Sequence, residues 1–186
     1  MKSKVLALIL LCGAASLGAK VKLPALVGDN MILQQQTEVK LWGTAAPEAE
    51  VRVTPSWNGQ TMTCRADKDG GWTLAVETPA AGYTPYEITF DDGEKTTLKN
   101  ILIGEVWLAS GQSNMEMPLK GFAGCCIMNG ADDIIVSAEN KGWRMFTVPK
   151  HQTYELQTDC KGSWNISSIE TAPDFSATAY YFCPLR

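Results

Sequence analysis

Ile101-Leu102-Ile103-Gly104-Glu105-Val106-Trp107-Leu108-Ala109-Ser110-Gly111-Gln112-Ser113-Asn114-Met115-Glu116-Met117-Pro118-Leu119 is the stretch on which the reading of this chain turns. It opens on an apolar, β-branched run and continues through Val106-Trp107-Leu108. It then breaks abruptly into small and polar residues at Ser110 to Asn114. A strand with few charges reads as one covered on both faces. A polar break at the carboxyl end of such a strand is where open α/β sheets carry their reactive groups. Ile101–Leu108 is therefore expected to be a strand, and Ser113 is the candidate nucleophile, with Gln112 and Asn114 as polar neighbours able to donate to a developing oxyanion. Met115 stands where a G-x-S-x-G elbow would place its second glycine, which argues against the common α/β-hydrolase turn. The plain alternative is a turn or helix-capping serine.

Upstream, residues 20–100 read as an all-β module. Short candidate strands at Met31–Gln34, Glu38–Trp42, Glu50–Trp57, Gln60–Ala66, Trp72–Glu77, Tyr86–Phe90 and Thr96–Lys99 are separated by turn signals such as Asp69-Gly70-Gly71 and Asp91-Asp92-Gly93. That spacing is the one expected of a β-sandwich. Val51 and Val53 alternate with polar neighbours and should share the buried face. Trp42 and Trp72 are expected in the core, with a sugar-binding row of exposed aromatics as the alternative.

Downstream, residues 101–186 read as part of an α/β domain. Lys120 to Gly130 is a loop, Ala131–Glu139 a helix with Asp132 and Asp133 at its positive end, and Trp143–Val148 a second strand. A polar stretch over 150–163 follows. A helix over Asp174–Phe182 comes next, with Phe175, Ala179 and Phe182 on one face. Two strands cannot make a sheet covered on both faces, so this half reads as unfinished.

The first residues read as a targeting signal. Lys2 and Lys4 precede the apolar run Val5 to Leu11, and small residues end near Ala19. The run is far shorter than the roughly 20 residues that span a bilayer. Cys12 follows Leu11, where a lipoprotein signal wants a small residue. Secretion, or export to a periplasm, is expected, with no membrane association after cleavage. Two of the 16 basic residues and none of the 20 acidic ones fall before residue 20, leaving a net charge of −6. An acidic chain without basic runs is not a nucleic-acid binder. Five cysteines remain beyond the signal: Cys64, Cys125, Cys126, Cys160 and Cys183. An odd count leaves at least one unpaired. Free, buried thiols are the default reading and one bridge the alternative. Asn165-Ile166-Ser167 is a sequon, meaningful only in a eukaryotic secretory pathway.

The block Gly104 to Leu119 resembles the nucleophile block of the sialate O-acetylesterase family, SGNH (GDSL-like) hydrolases that carry GQSNM in place of GDS. Leu23-Pro24 with Asp29-Asn30-Met31-Ile32-Leu33-Gln34, Trp42-Gly43, Asp69-Gly70-Gly71-Trp72, Trp143 to Lys150, Trp164 and Phe175 to Phe182 extend the likeness over nearly the whole mature chain. The resemblance implies a β-sandwich followed by an SGNH, flavodoxin-like domain. It implies an acetyl ester on a sugar hydroxyl as substrate, on sialic acid or a polysaccharide. It further implies an acetyl-enzyme on Ser113, an oxyanion contact from the Ser113 amide, and no metal or organic cofactor. The family also uses an oxyanion glycine, an oxyanion asparagine and an Asp-x-x-His pair, none of which is recognisable here. The single histidine, His151, has Val148 rather than Asp three residues before it and reads as a solvated loop residue. The expectation is a truncated esterase with little activity alone. The competing readings are a non-catalytic carbohydrate-binding β-sandwich and a purely structural exported domain.

Overall fold

The computed structural model describes residues 20–182; the expected signal peptide and Cys183 lie outside them. Seven strands come first: β1 Ile32–Gln34, β2 Glu38–Thr44, β3 Glu50–Pro55, β4 Met62–Arg65, β5 Gly71–Glu77, β6 Gly82–Asp91 and β7 Lys95–Gly104. Five form a mixed sheet in the order β1-β7-β6-β3-β4, in which only β1 and β7 run parallel. β2 and β5 form a separate antiparallel pair, in register from Glu38 opposite Glu77 to Thr44 opposite Gly71.

Strand alternation decides what is buried. Val51 and Val53 are fully buried, as their spacing predicts, and so are Val76, Ile88 and Phe90. Leu41, Leu74 and Val76 from the pair meet Val51, Val53, Ile88, Phe90, Ile101 and Ile103 from the sheet in one apolar cluster. Each large side chain so removed from water contributes roughly 1.5–3 kcal/mol before entropy is counted. Trp72 belongs to this core against Phe90, with ring centroids 5.8 Å apart, whereas Trp42 is half-buried at its edge. The turn into β5 is fixed by Asp67, whose Oδ1 accepts from the amides of Asp69 (2.9 Å) and Gly71 (2.7 Å). Gly70 sits there at φ +86°, and a Cβ would lie 2.5 Å from the Ala45 carbonyl oxygen, so only glycine fits.

The expected break at residue 100 falls inside β7. Thr96–Lys99 and Ile101–Gly104 belong to one strand, with Leu102 and Ile103 opposite Ile32 and Leu33 of β1. Asn100 marks the seam. It takes φ +58°, and the pairing of β6 with β7 shifts register beside it. Its Nδ2 donates to Asn30 Oδ1 at 2.7 Å, and Asn30 is itself left-handed at φ +64°. A polar residue that reads as the end of one module is thus accommodated as an irregularity within it. Val106 to Leu108, expected to continue the strand, instead run exposed and outside any sheet.

Beyond Gly104 come α1 Ser113–Glu116, α2 Gly130–Ser137, β8 Arg144–Phe146, β9 Trp164–Ile166, a 3-10 turn at Ala172–Asp174 and α3 Ala177–Phe182. The strand expected at Trp143–Val148 shrinks to β8. It pairs antiparallel with β9, a strand the sequence did not suggest, rather than with the 101–108 run. The helix expected over Asp174–Phe182 is divided at Phe175, which is extended at ψ 153°. As a result the buried positions are Ala177, Ala179 and Tyr180, while Phe182 is exposed. Leu119, Met145, Ala172, Ala177 and Tyr180 form a second, smaller cluster. The cysteines Cys64, Cys125, Cys126 and Cys160 are free. Contrary to the expectation of burial, Cys125 and Cys126 are exposed; Cys64 is half-buried, and burial pushes its thiol up.

Candidate active site

Ser113 is the first residue of α1, a single helical turn, and its side chain is exposed. Gln112 precedes the turn with φ −114° and ψ −141° and makes no side-chain cap; its carbonyl accepts from the Met115 amide at 2.9 Å. The first amides of a helical turn have no acceptor within the turn, which leaves those of Ser113 and Asn114 without one there. A Cβ on Gly111 would lie 2.7 Å from Met115 Cγ, so a larger residue here would displace the Met115 side chain that folds back over it.

One set of contacts fixes the chain at Glu105 and Val106, ahead of the turn, and another fixes the turn and the residues after it. On the upstream side, Gln34 Oε1 accepts from the Val106 amide at 2.9 Å. Gln34 Nε2 and Gln35 Nε2 donate to the Glu105 carboxylate at 2.9 and 2.6 Å. Those bonds, Gln34 first and Gln35 second, hold the exposed Glu105 carboxyl below the usual range. On the downstream side, Thr178 Oγ1 of α3 donates to the Asn114 carbonyl at 2.9 Å. The Ala177 amide donates to the Met117 carbonyl at 2.8 Å, and the Leu119 amide to the Phe175 carbonyl at 2.9 Å. Glu116 pairs with Lys150 at 2.6 Å, and Lys120 with Asp174. Trp107 meets Phe182 edge to face at 5.2 Å.

The three predicted residues Gln112, Ser113 and Asn114 therefore sit together on one exposed turn. His151 lies in an exposed segment without regular structure, next to Lys150, which pairs with Glu116 at the end of the Ser113 turn. Among the described residues, no group of three or more His, Cys, Asp or Glu side chains could hold a metal ion. Thr178, Glu105, Gln34 and Gln35 were not singled out by sequence. The only signal is the Gln34-Gln35-Gln36 run, which carries no chemistry until the fold sets it against residue 105.

No protein-family model matches this chain. Among curated proteins it is similar to the sialate O-acetylesterase of Rattus norvegicus, 27% identical over 175 residues, covering 86% of this chain and 31% of that protein. The sialate O-acetylesterase of Pongo abelii is 32% identical over 161 residues, covering 80% and 29%. Among solved structures it is similar to a carbohydrate acetylesterase from Xanthomonas citri, with TM-score 0.79 and 32% identity over 87% of this chain and 36% of that one. The chain thus spans about a third of the length of the relatives it matches. Those relatives and the solved neighbour carry esterase names, and the likeness runs through both the sheet and the Ser113 turn. On these grounds the chain belongs to the sialate O-acetylesterase family.

Proposed function

We propose that this protein is a carbohydrate O-acetylesterase in which Ser113 attacks the acetyl carbonyl. The observation that carries the reading is the exposure of Ser113 at the head of a short helical turn whose Asn114 carbonyl is held by Thr178 of α3. The hydroxyl oxygen bonds to the acetyl carbon, its proton passes to the sugar oxygen, and the C–O bond to the sugar breaks to release a free sugar hydroxyl. The Ser113 amide, with Gln112 and Asn114 beside it, donates to the oxyanion. Water then attacks the acetyl-serine and releases acetate. The substrate is an acetylated carbohydrate, a sialic acid or a polysaccharide. We read the N-terminal unit as a β-sandwich, with its boundary moved to Gly104. We read the remainder as part of an SGNH hydrolase domain, and residues 1–19 as a signal that sends the protein to a periplasm or out of the cell.

A serine hydroxyl without a base is a poor nucleophile, and losing a triad's base costs on the order of 10⁴ in rate. His151 has Val148 where an Asp-x-x-His pair carries its Asp, so slow turnover is expected of the 186 residues tested alone. The test is acetate release from an O-acetylated sialic acid and from p-nitrophenyl acetate. Ser113→Ala should abolish the residual turnover and His151→Ala should leave it unchanged. Turnover that survives Ser113→Ala overturns the nucleophile. Fast turnover lost in both variants makes His151 the base.

A further inference from the structure

The loop between the Ser113 block and α2 carries two adjacent cysteines that the proposed esterase chemistry does not use. Its ends meet at Leu119. The Gly121 amide donates to the Pro118 carbonyl at 2.8 Å. Gly130 lies so close that a Cβ there would be 2.6 Å from the Leu119 carbonyl oxygen. Between these ends, Phe122 and Cys125 exchange both backbone hydrogen bonds at 2.9 Å, which fixes a tight turn at the tip. Cys125 closes that turn and Cys126 follows it, both free and exposed. Gly124 just before them takes φ +77° with no atom within 4 Å of where a Cβ would be, whereas Gly121 packs so closely on the Cys125 carbonyl and Cys126 Cα that a Cβ there would lie 2.5 and 3.0 Å from them. The other described thiols, Cys64 on β4 and Cys160, are half-buried on separate segments.

We infer that Cys125 and Cys126 are a modification site: a vicinal dithiol that a low-molecular-weight disulfide converts into a disulfide ring closed through their shared peptide bond. Exposure gives an incoming disulfide access, and adjacency makes the second step intramolecular. The thiolate of one cysteine attacks a sulfur of the small disulfide, expels one small thiolate and forms a mixed disulfide. The thiolate of its neighbour then attacks the protein-side sulfur and expels the second small thiolate. The pair loses two protons and two electrons, and the small disulfide is reduced to two thiols. Ring closure bends the Cys125–Cys126 peptide and gives up the exposed pairing of Cys125 with Phe122. The bend moves the Cys125 carbonyl and Cys126 Cα relative to Gly121, where the backbone is packed closely against them. Such rings are strained and readily reduced, which suits reversible modification rather than a structural bridge.

The test is treatment of the full chain with oxidised glutathione at pH 8, followed by alkylation of remaining thiols and tryptic mapping. Cleavage after Lys120 and Lys141 releases one peptide, residues 121–141, that holds both cysteines and no other. The expected product is that peptide two hydrogens lighter, without glutathione or alkyl label, and restored by a mild reductant. In Cys126→Ser, the expected product is a stable glutathione adduct on Cys125. A wild-type peptide that keeps glutathione, stays alkylatable or is bridged to another cysteine-containing peptide overturns the inference. So does a Cys126→Ser chain in which Cys125 does not react.

Discussion

Residues 20–104 and residues 105–182 are built to different standards. In the first, nearly every apolar side chain singled out by alternation is buried, and five of seven strands share a hydrogen-bonded sheet. In the second, only five residues form the buried cluster, while Trp107, Leu108, Ile135, Val136, Tyr154, Leu156 and Phe182 are exposed. The region bearing the chemistry-carrying motif is therefore the less consolidated one. It is held to the first by a few identifiable links. Trp164 Nε1 donates to the Leu26 carbonyl at 2.9 Å, Arg144 Nη2 to Asn100 Oδ1 at 3.2 Å, and the Ala25 amide to Asp159 Oδ1 at 2.9 Å. Local stability follows packing, so the Ser113 turn should open more readily than the sheet that precedes it.

The largest expected effect comes from attacking the stronger region. Phe90→Ala removes a fully buried ring from between the two sheets and should cost about 3–5 kcal/mol in a urea titration. Because the second region leans on the first, both should lose protection from hydrogen exchange together. The reverse experiment sharpens the contrast. Leu119→Ala in the smaller cluster should cost about 2–4 kcal/mol and should accelerate exchange across residues 113–182. The amides of β6 and β7 should keep their protection; if they lose it equally, the two regions are one cooperative unit. Smaller again is Trp164→Phe, which keeps an aromatic ring against Phe146 but removes the bond to Leu26. Its expected cost is about 1 kcal/mol, read as faster exchange in β8 and β9 rather than in β3.

The same contrast explains what the sequence disclosed. Strict alternation and Asp-Gly turns made β3, β5 and β6 legible, because period-two burial leaves a period-two pattern. The end of the β unit was not legible. Ile101-Leu102-Ile103 is uniformly apolar and reads alike as the tail of a sheet or the start of a new one, and Asn100 looks like a break while serving as a kink. β9 escaped notice because three residues with Asn165 at the centre carry no alternation to detect. The buried face of α3 was misplaced because its start depends on extended Phe175, a backbone feature without a sequence signature. At the site, Gln112, Ser113 and Asn114 were found by motif. Thr178 was not, since its link to the Asn114 carbonyl spans 64 positions and uses a backbone acceptor.

The smallest predicted effect isolates the weaker region by pH. Tyr181 of α3 donates its hydroxyl to the Asp133 carboxylate of α2. Partial burial first, and that bond to a carboxylate second, push its pKa up to about 12 from an ordinary value of 10. A folded-state value above the unfolded one favours the protonated, folded form. The contribution is complete below pH 10, where both states keep the proton. It declines as pH rises from 10 to about 12, because the unfolded tyrosine ionises while the folded one does not. The ring is about half exposed, so the bond is screened and its worth at pH 7 stays under about 1 kcal/mol. Tyr181→Phe should thus lower stability slightly at neutral pH and flatten the fall between pH 10 and 12. That flattening should appear in exchange of the α2 and α3 amides and not in those of β6. An equal change in both would mean that the α2–α3 contact reports on the whole molecule, and that the division between the two regions is one of appearance rather than of energy.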